Sequence, residues 1–218
     1  MRTRKPTLIP PPIAIFGTFA MLLILVPFIG LAQRTPWGSF LSILGESSVR
    51  SAISLSLLVA SVSAFICLIL GLPLGWILAR SQSPWMRLLR AIVLLPMVLP
   101  PVAGGTALLF ALGRRGFVGQ KLDEWFGITL PFTTTGAIIA ATFVSLPFFV
   151  LAIETSINDL NRDFEESAMS LGSSPTRTFF SVTVPLIRTG LIAGLTLSWA
   201  RALGEFGATI TFAGDNPG

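Results

Sequence analysis

The sequence has no histidine and a single cysteine, Cys67, set inside an apolar run. That inventory excludes a clustered metal centre and a disulfide framework, and Cys67 reads as a small buried apolar side chain. A Gly-x-Ser-x-Gly turn is also missing. Without histidine no nucleophile–base constellation assembles, which argues against a membrane protease or other membrane enzyme. The chain lacks a G-x-x-x-x-G-K-[ST] phosphate loop, and its two lysines are Lys5 and Lys121, so it carries no machinery for hydrolysing ATP. Charge is scarce as well. Only 11% of the 218 residues are charged, against about a quarter in soluble domains. The net charge of +5 is spread thinly, with no basic stripe interleaved with aromatics. Nucleic acid is therefore not an expected partner, and the basic bias suits a membrane surface.

What remains is apolar: 52% of the residues are hydrophobic. Uncharged stretches run from Pro6 to Gln33, Ser51 to Ala79, Ala91 to Gly113 and Trp125 to Ile153. Each reaches the roughly 20 residues that cross a bilayer core. The pattern predicts helices over Ile13–Ala32, Ile53–Leu78, Ile92–Leu112 and Thr135–Ile153. A fifth, Thr189–Ala213, is apolar apart from Arg201 and Glu205. Lipid admits only helices or closed barrels, and barrel alternation is missing. The expected class is all-α, a polytopic membrane protein with five transmembrane helices in contact with lipid. The basic start, MRTRKPTLIPPPI, precedes an apolar run of full bilayer length, which reads as a retained helix rather than a cleaved signal.

Lys and Arg in short loops set orientation. A cytoplasmic N-terminus places Arg2, Arg4, Lys5, Arg80, Arg87, Arg90, Arg162, Arg177 and Arg188 inside. It places Arg34, Arg50, Arg114, Arg115 and Lys121 outside, so nine against five favours that orientation. The expected organisation is a cytoplasmic tail over 1–12, a transmembrane domain over 13–213 with a cytoplasmic loop at 154–188, and an external end at 214–218. The site is the cytoplasmic membrane.

Two segments depart from plain anchors. LLPMVLPPVAGG places Pro96, Pro100 and Pro101 before Gly104 and Gly105. Proline removes a backbone donor and clashes with the preceding turn, so this span is expected to kink or break. It reads either as a kinked packing helix or as a pore-lining element. The second segment lies between Asn158 and Leu186. Asp163 to Leu171 reads as a short helix stopped by Gly172, and Ser174 caps a second helix with Pro175 at its first position and Pro185 at its end. Phe164, Met169, Leu171, Phe179 and Phe180 give this polar loop apolar faces, which meet either a partner or the membrane interface.

The loop resembles the cytoplasmic signature of ABC importer permeases: Glu-Ala-Ala, three residues, Gly, nine residues, Ile, one residue, Leu-Pro. Glu166, Ser167 and Ala168 stand first, Gly172 is the glycine, and Val182, Thr183, Val184 and Pro185 close the pattern. Ser167, Val182 and Val184 are conservative departures. LLPMVLPPVAGG, TFVSLPFFV and WARALGEFGATITFAG are similar to molybdate permeases, over about Val49 to Ala213. Sulfate permeases share the Arg-Ala-Leu-Gly-Glu core, and Phe206 to Ala213 favours the molybdate branch.

The resemblance implies a permease working with two ATP-binding subunits, a second permease chain forming a homodimer, and an extracytoplasmic molybdate-binding protein. No cofactor is expected on this chain; ATP and Mg belong to the ATPase. The coupling surface would comprise Glu165, Glu166, Ser167, Ala168, Leu171, Gly172 and Pro185. Candidates for the anion path are Pro100, Pro101, Gly104, Gly105, Thr106, Ser198, Thr209 and Thr211, with Arg201 and Glu205. That pair, one helical turn apart, reads either as a structural neutralisation or as a gate. A sixth span normally follows Ala213–Gly214 in the family, so the sequence is expected to be one span short. Other readings are a permease for sulfate, thiosulfate or tungstate, and a secondary transporter or scaffold without an ATPase. The last usually shows internal repeats and buried ionisable relays, neither of which is visible.

Overall fold

A computed structural model describes residues 10–205 and 207–213. Most of the proposed N-terminal tail with Arg2, Arg4 and Lys5, Phe206, and the proposed external end 214–218 lie outside the described residues. The fold is all-α, with no strand among the described residues. The described residues form two compact units, divided between Arg50 and Ser51.

The first unit contains α1 (Pro11–Arg34) and α2 (Phe40–Gly45). Prolines in the first turn of α1 lose no helical hydrogen bond, because those donors have no partner there. α1 buries none of its residues and is long and apolar enough to cross a membrane. α3 (Ser47–Arg80) leads into the second unit. At about 1.5 Å per residue its 34 residues exceed a bilayer core. There follow α4 (Trp85–Val98), α5 (Pro101–Leu112), α6 (Gly119–Phe126) and α7 (Thr134–Asn158).

α7 is the centre of the second unit. Thr133 accepts a hydrogen bond from the Gly136 N–H and starts it, and buried residues line it from Gly136 to Ile157. α3 runs parallel to it. Ser63 donates to the Ile138 carbonyl at 3.1 Å, Cys67 lies 3.4 Å from Ser145, and Gly71 and Gly75 face Phe149 and Ile153. α11 (Arg188–Leu203) runs antiparallel, with Gly190 beside Ser156 and Gly194 beside Ala152 and Phe149. Glycine, alanine and serine at these seams let backbones approach. In lipid, where the hydrophobic effect gives no gain, such packing drives helix association.

Two expected spans are not single rods. Pro100 and Pro101 push the residues before them out of helical backbone, and Leu99 and Pro100 are both extended. The helix expected over Ile92–Leu112 is therefore two, α4 and α5, bent by 118°. The helix expected over Thr189–Ala213 stops at Leu203 and resumes as α12 (Gly207–Ala213). Three helices are long and apolar enough to cross a membrane on their own, and five spans result only if α4 with α5, and the segment Pro175–Leu186 with α11, each count as one. Sequence periodicity also misses α2 and α6, which are short.

Candidate functional site

The segment carrying the signature is built as two arms. α8 (Asp163–Ser170) begins where the Asn161 side chain accepts the Asp163 N–H at 3.1 Å. Asp163, Glu165 and Glu166 in its first turn favour the positive end of the helix dipole. It ends at Gly172, whose φ of +88° is a conformation that a side chain disfavours. Ser173 and Gly172 donate to the Ala168 and Met169 carbonyls, closing the α8 C-terminus in a Schellman arrangement. The Ser174 side chain then accepts from the Arg177 N–H, and Pro175 opens α9 (Pro175–Thr178).

Pro185 lies one residue before the end of this second arm, at Leu186, but the arm is not a plain α-helix. A π-helical turn over Phe179–Thr183 leads into α10 (Val184–Leu186), and the arm meets α11 at a 76° bend. Pro185 has no N–H for the carbonyl four residues back, and its ring crowds that turn, so the backbone widens ahead of it. The loop is also shorter than expected. α7 runs through Asn158, and Glu154, expected at the loop's start, is a buried residue of α7 paired with Arg90 of α4.

The seven proposed coupling residues divide. Glu166, Ser167 and Leu171 are exposed, and with Asp163 and Ser170 they line an open groove of about 520 Å³. Leu171 is 90% exposed, and Phe164 and Phe180 also face outward. Glu165 turns inward to Arg80 and Thr183, and Ala168 is half-buried. Phe179 packs edge-on to Trp76, so this aromatic folds back on α3 and leaves the outer face.

The proposed path residues also divide. α5 and α12, the resumed halves of the two broken spans, pack on each other. A Cβ on Gly105 would stand 2.7 Å from Thr211 Cβ, and one on Gly207 would stand 2.6 Å from Pro101 Cβ. Glu205 Oε2 pairs with Arg201 Nη1 at 2.5 Å, while Oε1 accepts the Ala208 N–H at 2.7 Å. The carboxylate, 2% exposed, therefore neutralises Arg201 and caps α12 at once. Glu205 and Thr209 line a 110 Å³ pocket with Ser56 and Ala137. The other candidates lie apart from this pocket. Thr106 donates to the Val102 carbonyl, Gly104 faces Phe143, and Ser198 is buried and donates to the Leu195 carbonyl. Pro100 is exposed at the bend.

Sequence reading missed the Arg80–Glu165 and Arg90–Glu154 pairs. Both join residues far apart in the chain, and local spacing carries no sign of such partners. The available signal was chemical: charges at the ends of apolar runs are rarely left unpaired near lipid.

Residues 71–218 match the family of binding-protein-dependent transport system inner membrane components. A molybdenum transport system permease protein of Mycobacterium bovis is 40% identical over 98% of this chain and 80% of its own length. One from Escherichia coli K12 is 44% identical over 77% of this chain and 73% of its own length. A probable sulfate transport system permease protein of Marchantia polymorpha is 35% identical over 93% of this chain and 70% of its own length. With several apolar helices of membrane-crossing length and a family match over most of its residues, the chain belongs to the binding-protein-dependent transport system inner membrane components, as a multi-pass permease subunit.

Proposed function

We propose that this permease passes molybdate across the cytoplasmic membrane, driven by ATP hydrolysis on a partner subunit. The observation that carries the choice of anion is the identity of 40% and 44% to molybdenum permeases, against 35% to the sulfate permease. Two copies of the chain would form the path, with two ATP-binding subunits below and a binding protein above. ATP and Mg would sit on the ATPase, since this sequence has no phosphate loop. The N-terminus and the segment between Asp159 and Ile187 would face the cytoplasm.

In this reading the groove beside Glu166, Ser167 and Leu171 receives the ATPase, and Gly172 sets the angle between the arms. ATP closure of the ATPase pair draws the two coupling segments together and turns the spans outward; hydrolysis returns them. Molybdate is a tetrahedral dianion, and a path for it needs donors without a tight trap. The broken spans supply such a place. Pro100 and Pro101 break the first of them, Thr209 lines the small pocket beside Glu205, and Thr106 with the buried Gly104, Gly105 and Ser198 would join the path only when α5 and α12 move apart. Arg201, its charge offset by Glu205, stands beside the break between α11 and α12, and loosening the pair would expose it to the passing anion.

The likeness to sulfate permeases over 93% of the chain supports a second reading, sulfate as the cargo. Uptake of labelled molybdate into cells lacking their own molybdate permease, with this chain and its ATPase and binding protein supplied, separates the two. Uptake blocked by tungstate and indifferent to excess sulfate supports molybdate. Uptake of sulfate, with molybdate only as a weak competitor, supports the second reading.

A further inference from the structure

α8 turns most of its side chains outward, but Glu165 does the opposite. Its carboxylate lies 2.8 Å from Arg80 Nη2 and accepts a 2.6 Å hydrogen bond from the buried Thr183 hydroxyl. The two charged side chains are only 12% and 13% exposed. One turn earlier on α3, Trp76 meets Phe179 edge-on, with ring centroids 5.8 Å apart. The last turn of α3 is therefore held by both arms of the signature segment.

Two charges withdrawn from water are costly unless hydrogen bonds complete them. Here both carboxylate oxygens of Glu165 are engaged, one by Arg80 Nη2 and the other by the Thr183 hydroxyl, so the pair is held from both arms. Above it, α3 has little slack against α7. A Cβ on Gly71 would come within 2.5 Å of Phe149, and one on Gly75 within 2.8 Å of Ile153. Such close seams pass displacement on instead of absorbing it.

We infer that Arg80, Glu165 and Thr183 are positioning residues that latch the coupling segment to α3, delivering movement of α8 to α3 and onward to α7. The inference rests on the proposed coupling role of α8. The outward groove binds the ATPase; the inward latch hands its displacement to the spans.

The test uses the whole transporter reconstituted in vesicles, with ATP hydrolysis and molybdate uptake measured on the same preparation. Glu165→Gln and Arg80→Met should assemble and hydrolyse ATP, while uptake per ATP falls about tenfold, within the span of such coupling energies. The exchange Arg80→Glu with Glu165→Arg should recover part of the lost ratio. Unchanged uptake per ATP in both single variants would overturn the latch. If those variants fail to assemble, Thr183→Val decides, since it keeps the ion pair and the side-chain shape. A ratio lowered about threefold supports the latch and an unchanged ratio overturns it. Absence of ATP-driven oxyanion uptake by the unaltered transporter is a different failure. It overturns the permease reading and the latch with it.

Discussion

Glu205 shows how much one side chain carries. It neutralises Arg201 and supplies the cap of α12, so the two neighbours are not equivalent. Glu205→Ala strands a cation and uncaps a helix, and should cost about 2–3 kcal/mol. Arg201→Ala keeps the cap but strands a carboxylate that is only 2% exposed, and should also cost about 2–3 kcal/mol. Thermal unfolding in detergent reads both, and an unchanged melting temperature in the Glu205 variant would contradict the cap. Replacing both by leucine removes the stranded charge but not the missing cap, so folding should recover only in part. If that double variant folds and transports, the pair is structural; if it folds without transport, the pair serves the anion path. Gly105 and Gly104 make a second contrast. Gly105→Ala drives a methyl into Thr211 and the Ala208 carbonyl, and should cost about 1–3 kcal/mol. Gly104→Ala meets only Phe143, at 3.5 Å, and should be tolerated. Reversed effects in the same melting assay would contradict the α5–α12 seam.

At the scale of elements, the prolines and glycines were the most legible part of the sequence. Gly172, Ser174 and Pro175 stand where their chemistry predicts, because cap and turn geometry is local. The double proline announced a break, but not that the chain would bend by 118°, which depends on what α4 and α5 each pack against. Pro185 stands one residue from the end of its arm, as expected, but the π turn ahead of it, which relieves the clash of its ring, has no sign in the sequence. The interruption at Gly204 was hidden by an apolar stretch that reads as helix throughout, and its cap comes from a residue that pattern alone assigns to a pair. Glu165 was placed on the outer surface for a similar reason: on a helix of eight residues, sequence does not say which side meets α3. The two arms make their own prediction. Gly172→Ala imposes a strained backbone in open space and should cost about 1 kcal/mol with coupling largely kept. Gly172→Pro cannot adopt the positive φ or donate to the Met169 carbonyl, and should abolish coupling while the chain still inserts. Uptake per ATP in vesicles measures both, and normal coupling in the proline variant would contradict the role given to this turn.

For the whole molecule, the helices, the charge bias and the family agree on a chain that crosses the membrane several times. The orientation makes a labelling prediction. Cysteine at Thr176 should react with an impermeant thiol reagent only in inside-out vesicles, and cysteine at Lys121 only in intact cells. Cys67 is buried and should stay silent in both. The reverse pattern would invert the topology and remove α8 from the ATPase. The central claim is that this chain, joined to an ATPase and fed by a binding protein, imports molybdate. Its most direct test is accumulation of labelled molybdate inside sealed vesicles that hold the purified chain and its ATPase, with the binding protein outside and ATP within. Accumulation that requires the chain, the binding protein and hydrolysable ATP is the predicted result. Molybdate entry that proceeds without ATP, or none when all components are present, would contradict it.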